Sequence, residues 1–186
     1  IGTEVFALPV DVADRDAVIT LLAEVTERFG PIDVLVNNAG FGRLDWLENL
    51  DPKKDIEAQF DVNVLGVIQT TRQALPVMIK QRSGHIINMC SMAGLVATPT
   101  YTIYAACKHA VHGFSEALRR EVKPWGIHVS MIYPGGVTTE FGAHAGIKRM
   151  TELSAARLPD GLEKALEDYP GVAAVSPPSQ NFTHDV

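Results

Sequence analysis

Cysteine is nearly absent from this chain, with only Cys90 and Cys107 in 186 residues. Two thiols cannot build the disulfide framework of a small secreted domain, so the fold must be held by burial, and a reducing, cytoplasmic location is expected. Long apolar runs are missing too. The longest, around residues 129–133, suits a buried strand and falls far short of the roughly 20 residues a membrane-spanning helix needs. There is no Lys/Arg cluster and the net charge is -6, which argues against a nucleic-acid surface. The six histidines show no metal-ligand spacing, although His109 and His112 stand three apart on a helical pattern. No internal repeat and no signal-peptide pattern is visible. The chain opens at Ile1 without Met, so it is expected to start partway through a longer protein.

What is present is an ordinary globular composition, 46% apolar and 20% charged, enough for one domain with a real core. Residues 5–10 form a short apolar run containing Pro9, which suggests a strand at an edge position or a strand end. Asp14 then caps a helix whose apolar positions Ala17, Val18, Leu21, Leu22 and Val25 follow the 3.6 period up to Gly30-Pro31. Residues 32–36 are a continuous branched run, the mark of a strand covered on both faces. A long helical pattern follows from Pro52, with Pro76 inside it and Gly84 as its stop. Further buried strands are expected at 85–90 and 127–133, separated by a helix from Tyr101 to about Trp125 in which Glu116 and Arg120 pair. Strands alternating with helices imply a parallel α/β sheet. Ligands of such sheets bind outside the carboxyl ends of the strands. The segments 37–40, Ser91 and 134–139 each follow a strand directly, which groups them as one site.

The chemistry concentrates on Tyr104-Ala105-Ala106-Cys107-Lys108, with Ser91 thirteen residues upstream of Tyr104. A phenol and an ammonium four apart stack on one helix face, and the ammonium is expected to favour the phenolate and lower the Tyr pKa. With a serine hydroxyl at the same site, the set suits proton transfer to or from a carbonyl or alcohol. Cys107, next to Lys108, could by the same electrostatics be a reactive thiol, against the plainer reading of a buried one. Gly40-Phe41-Gly42-Arg43-Leu44-Asp45 begins like a dinucleotide fingerprint after a strand, but Asp45 stands where Gly is needed, and the segment is rejected as a phosphate loop.

Taken in order, Asp11-Val12, Asn37-Asn38-Ala39-Gly40, Asn63, Ser91, Tyr104-xxx-Lys108 and Pro134-Gly135 with Thr139 resemble the short-chain dehydrogenase/reductase family, classical type. The resemblance covers residues 1–141 as a partial NAD(P)-binding domain and implies a Rossmann-like, doubly wound parallel sheet, incomplete at the N-terminus. It implies an oxidoreductase using NAD or NADP to interconvert a carbonyl and an alcohol. By it, Tyr104 is the general acid or base, Lys108 binds the nicotinamide ribose and depresses the Tyr104 pKa, Ser91 orients the substrate carbonyl, and Asn63 holds a relay water. Asp11 and Val12 would contact adenine. Asn37, Ala39 and Gly40 would shape the cofactor cleft, with Pro134 and Gly135 at its rim and Val137 and Thr139 at the carboxamide. Partners are a small, apolar carbonyl or alcohol substrate and further copies of the chain, as a homodimer or homotetramer.

The departures concern both ends. The family's opening strand, Gly-rich turn, helix and second strand do not precede Val5, so the chain is expected to be a fragment that alone binds no nicotinamide cofactor at micromolar level. Residues 142–186 read as a divergent substrate-loop region and a disordered tail rich in Pro, Ser and Asn. The competing reading is a catalytically silent fragment that acts through association of its long helices. Residues 92–103, mostly apolar, are either a buried loop or the wall of a substrate pocket.

Overall fold

The computed structural model describes residues 5–135 and Phe141. The Asp14 carboxylate accepts from the Asp16 and Ala17 amides, filling donors that a helix N-terminus leaves open, and α1 runs Arg15–Phe29. Gly30 ends it at φ 84°, where an L side chain would be strained. Strand β1 (Val34–Asn37) leads to a helical stretch that is not uniform. A π turn, Pro52–Glu57, gives way to one α turn, α2 (Ala58–Phe60), then a second π turn, Asp61–Gly66, and finally α3 (Val67–Gln81) with Pro76 inside. Strand β2 (Gly84–Met89), helix α4 (Thr102–Val122) and strand β3 (Ile127–Ile132) complete the described elements.

The expected helix stop at Gly84 falls earlier. Arg82 takes the left-handed cap at φ 56° and donates its N–H to the Ile79 and Met78 carbonyls. Gly84 instead opens β2, where a Cβ would stand 2.7 Å from the Met78 sulfur.

The strands pair in parallel in the order β1-β2-β3. The register aligns Leu35 with Ile86 and Val129, and Asn37 with Asn88 and Met131, on one face of the sheet. Helices α3 and α4 close that face, with Ala74, Met78, Leu118 and Val122 packed on Ile86, Ile127 and Val129. The other face carries Val34, Val36, His85, Ile87, His128, Ser130 and Ile132 and is open, with Val34 and Val36 each 53% exposed. The expectation of strands covered on both faces is therefore corrected: among the described residues the helices lie on one side only. The strand expected at 5–10 is corrected as well. Its Val5 is 86% exposed, and the segment has no neighbouring strand among the described residues to satisfy its backbone donors and acceptors. Phe6 leans on α1 instead, 5.7 Å from the Phe29 ring and beneath the Arg28 guanidinium.

A buried polar seam ties helices to sheet. Asn37 Nδ2 donates to Asn88 Oδ1 at 2.8 Å and to Thr71 Oγ1 at 3.0 Å, while Thr70 Oγ1 donates to Asn37 Oδ1 at 2.6 Å. Asn88 Nδ2 continues to Ser115 Oγ at 2.8 Å, and Ser115 donates to the Val111 carbonyl. One chain of bonds thus fixes β1, β2, α3 and α4 against each other, and no member can be removed without orphaning a buried partner.

Candidate active site

Because the strands are parallel, the chain after β1, after β2 and after β3 emerges at one edge of the sheet. Ser91 follows β2, caps a short 3-10 turn by accepting from the Ala93 amide at 3.1 Å, and is tied to the segment after β3 because the Met92 amide donates to the Pro134 carbonyl at 3.1 Å. Tyr104 and Lys108 stand on the first turns of α4, both buried. The Ser91 hydroxyl lies within hydrogen-bonding reach of the Tyr104 phenol. Lys108 Nζ sits 5.6 Å from the Tyr104 ring centre and donates to the Met89 carbonyl at 2.8 Å. The phenol, the hydroxyl and the ammonium therefore converge.

Their electrostatics differ from the sequence expectation. Burial raises the Tyr104 pKa above its ordinary 10.0, and the Ser91 hydroxyl is the one influence lowering it. Lys108 is not among the causes. Its head is turned to a carbonyl, and burial lowers its own pKa below 10.5. In this state Tyr104 is a firmly protonated donor, and phenolate formation requires additional positive charge. Cys107 follows the plainer of its two readings, a buried thiol: burial outweighs the neighbouring ammonium and pushes it up to about 11.

Asn63 is wholly buried in the second π turn and grips the backbone of Phe41, accepting from its amide at 3.0 Å and donating to its carbonyl at 2.8 Å. Gln59, four residues earlier and also wholly buried, accepts from the Arg43 amide at 3.0 Å. These amides are engaged, which gives a physical reason why the 40–45 segment is no phosphate loop. The role of Gln59 is not apparent from motifs. A glutamine and an asparagine spaced by four on a buried helix face were the available signal. Gly40 passes so close to Asn63 that a Cβ would meet Oδ1 at 2.6 Å, and its virtual Cβ lies 3.7 Å from Lys108 Nζ.

The remaining candidates are placed as follows. Val12 packs on Gly66, where a Cβ would stand 2.9 Å from its side chain. Asp11 is exposed and accepts from the Ala13 amide. The Asn37 side chain turns into the polar seam, so any influence on a cleft passes through its backbone, while Ala39, Gly40 and Gly135 are exposed. Val137, Thr139 and residues 142–186 lie outside the described residues. Leu44, Tyr101 and Phe141 surround the Tyr104 ring, Phe141 at 5.5 Å and Tyr101 at 6.2 Å. Thr100, buried just before α4, holds φ 67°, an uncommon conformation for a β-branched residue. No clustering of three or more metal-ligating side chains occurs among the described residues.

This geometry fits the nicotinamide end of a dinucleotide: a buried ammonium beside an exposed glycine, with a proton donor next to it. Among the described residues the N-terminus of α1 does not suit a pyrophosphate, since its cap is Asp14 with Asp16 behind it, anions that repel phosphate.

Comparisons with known proteins identify the family. The family model for short chain dehydrogenases matches residues 1–149, and the chain belongs to that family. It is 36% identical over 137 residues to Oxidoreductase BOA17 of Botryotinia fuckeliana, covering 74% of this chain and 50% of that protein. It is 37% identical over 139 residues to the 3-oxoacyl-acyl-carrier-protein reductase FabG of Staphylococcus aureus, covering 75% and 56%. The structure resembles gluconate 5-dehydrogenase from Burkholderia cenocepacia J2315, solved in complex with NADP and tartrate, with a TM-score of 0.69 and 34% identity over 72% of this chain and 52% of that one. The chain thus spans about half the length of the curated relatives it matches.

Proposed function

We propose that this chain carries the catalytic half of an NAD(P)-dependent oxidoreductase that interconverts a carbonyl and an alcohol. The observation that supports this most is the convergence of Ser91, Tyr104 and Lys108 at the carboxyl edge of the sheet. Lys108 and the backbone around Gly40 would hold the nicotinamide ribose. When bound, the nicotinamide supplies the hydride in reduction and accepts it in oxidation. The Ser91 hydroxyl donates to the substrate oxygen and fixes its carbon in line. The Tyr104 hydroxyl delivers its proton to that oxygen as negative charge develops, so the carbonyl gains one hydride and one proton. In oxidation the phenolate takes the proton back. Burial keeps the unliganded phenol protonated, the form that donates a proton in reduction.

The substrate is proposed to be apolar beyond its reacting group. Met92, Leu95 and Val96, between Ser91 and Tyr104, are 41–48% exposed and would serve as its wall. Self-association through α4 is proposed from Ala106 and Gly113, exposed small residues with open space around Gly113. Two buried, unpaired thiols suit a cytoplasmic setting.

The test is an assay of the natural gene product with NADH and NADPH against a panel of ketones and aldehydes, beside its Ser91→Ala variant. Cofactor oxidation that depends on a carbonyl and falls about 100-fold in the variant supports the reading. Cofactor binding with no carbonyl or alcohol turnover would instead favour a silent, associating protein.

A further inference from the structure

The exit from β3 carries a pair of side chains that the proposed chemistry does not use. Tyr133 stands one residue before Pro134, packed with Val67, Cys90 and Val111, and its hydroxyl lies 2.8 Å from His112 Nδ1 on α4. The same hydroxyl is 3.1 Å from Met131 Sδ. The other ring nitrogen, His112 Nε2, is 3.9 Å from Glu116 Oε2. Glu116 is held as a carboxylate by Arg120 at 2.6 Å, with Arg119 adding to the effect. Just after β2 the neighbouring titratable group is Cys90, which with Glu116 acts on Tyr133. Two backbone bonds then join this exit to the serine turn: Met92 N donates to Pro134 O at 3.1 Å, and Cys90 N donates to Ile132 O at 2.8 Å.

We infer that Tyr133 and His112 form a latch that positions the Pro134-Gly135 turn and, through the Met92 amide, the Ser91 turn. The inference rests on the oxidoreductase reading, in which those two turns face cofactor and substrate. With a neutral ring, the Tyr133 hydroxyl donates to Nδ1. With a charged ring, Nδ1–H donates to the Tyr133 oxygen, the hydroxyl proton turns to the Met131 sulfur, and Nε2–H faces the Glu116 carboxylate. The hydroxyl has a partner in both states, and the charged state adds an ionic contact. Both are positioning residues, since neither lies against the reacting atoms.

Amide hydrogen exchange on the 186-residue chain tests this, through the protection factor of the Met92 N–H. Tyr133→Phe and His112→Ala should each lower protection about tenfold. His112→Gln, whose side-chain carbonyl still accepts from Tyr133, should restore most of it. Unchanged protection in Tyr133→Phe overturns the latch, and so does His112→Gln protecting no better than His112→Ala. If Tyr133→Phe fails to fold, equal protection in His112→Ala and His112→Gln overturns it. The readout needs no turnover, so the latch can fail while the Tyr104 chemistry stands, and the reverse.

Discussion

Lys108 shows how one side chain can serve function against stability. Its ammonium is buried at a cost, with its pKa lowered by that burial and one bond to the Met89 carbonyl. Lys108→Met should raise the melting temperature by a few degrees while weakening cofactor affinity. The folded protein releases this proton at lower pH than the unfolded chain does, so Lys108 makes stability rise with pH in the interval just below 10.5. Denaturant titrations of wild type and Lys108→Met across that interval should differ by this slope. Cys107 contributes the opposite slope. Its thiol is raised from 9.0 to about 11, so the stability it contributes is complete below pH 9 and is lost as pH rises toward 11. A colorimetric thiol reagent at pH 8 should find neither Cys90 nor Cys107 in the native protein and both after unfolding. At this scale the motif residues were legible in the sequence but their protonation was not. Tyr104 and Lys108 are spaced to interact, yet burial and the Met89 carbonyl dominate, and neither is visible in a spacing.

Among the elements, the cooperation of strands and helices is concentrated in the Asn37–Asn88–Ser115 seam. Asn88→Ala leaves the Asn37 amide and the Ser115 hydroxyl short of a partner and should destabilise the protein by about 2 kcal/mol or more, measured by urea unfolding. Gly126→Ala is a second test. Its φ is 73° and a Cβ would stand 2.5 Å from the Arg82 carbonyl, so a comparable loss is expected at the turn into β3. The element order could be read from periodicity because apolar spacing and breakers are local: Asp14, Gly30 and Gly126 mark their boundaries. The strand at 5–10 could not be decided that way. A strand exists through its neighbours, and the residues that would pair with it are not within its own pattern. The π turns that bring Gln59 and Asn63 onto the 41–43 backbone left no periodic signature either.

For the whole molecule, the open sheet face dominates behaviour in solution. Val34 and Val36 are 53% exposed and Ile132 46%, so the 186-residue chain should bind a hydrophobic dye in its native state and associate with concentration. Val34→Thr with Val36→Thr should reduce both, read by dye fluorescence and light scattering. The same half-covered architecture is the reason that calorimetry on this chain is expected to show no nicotinamide binding at micromolar level, as nothing described receives a pyrophosphate. The central claim is that Tyr104 moves the proton beside Ser91 and Lys108, and the most direct measurement is kcat of Tyr104→Phe in the natural gene product, with cofactor affinity followed in parallel. A fall of about 100- to 10,000-fold in kcat at unchanged cofactor affinity is the expected result. A rate within a few-fold of wild type would contradict the account.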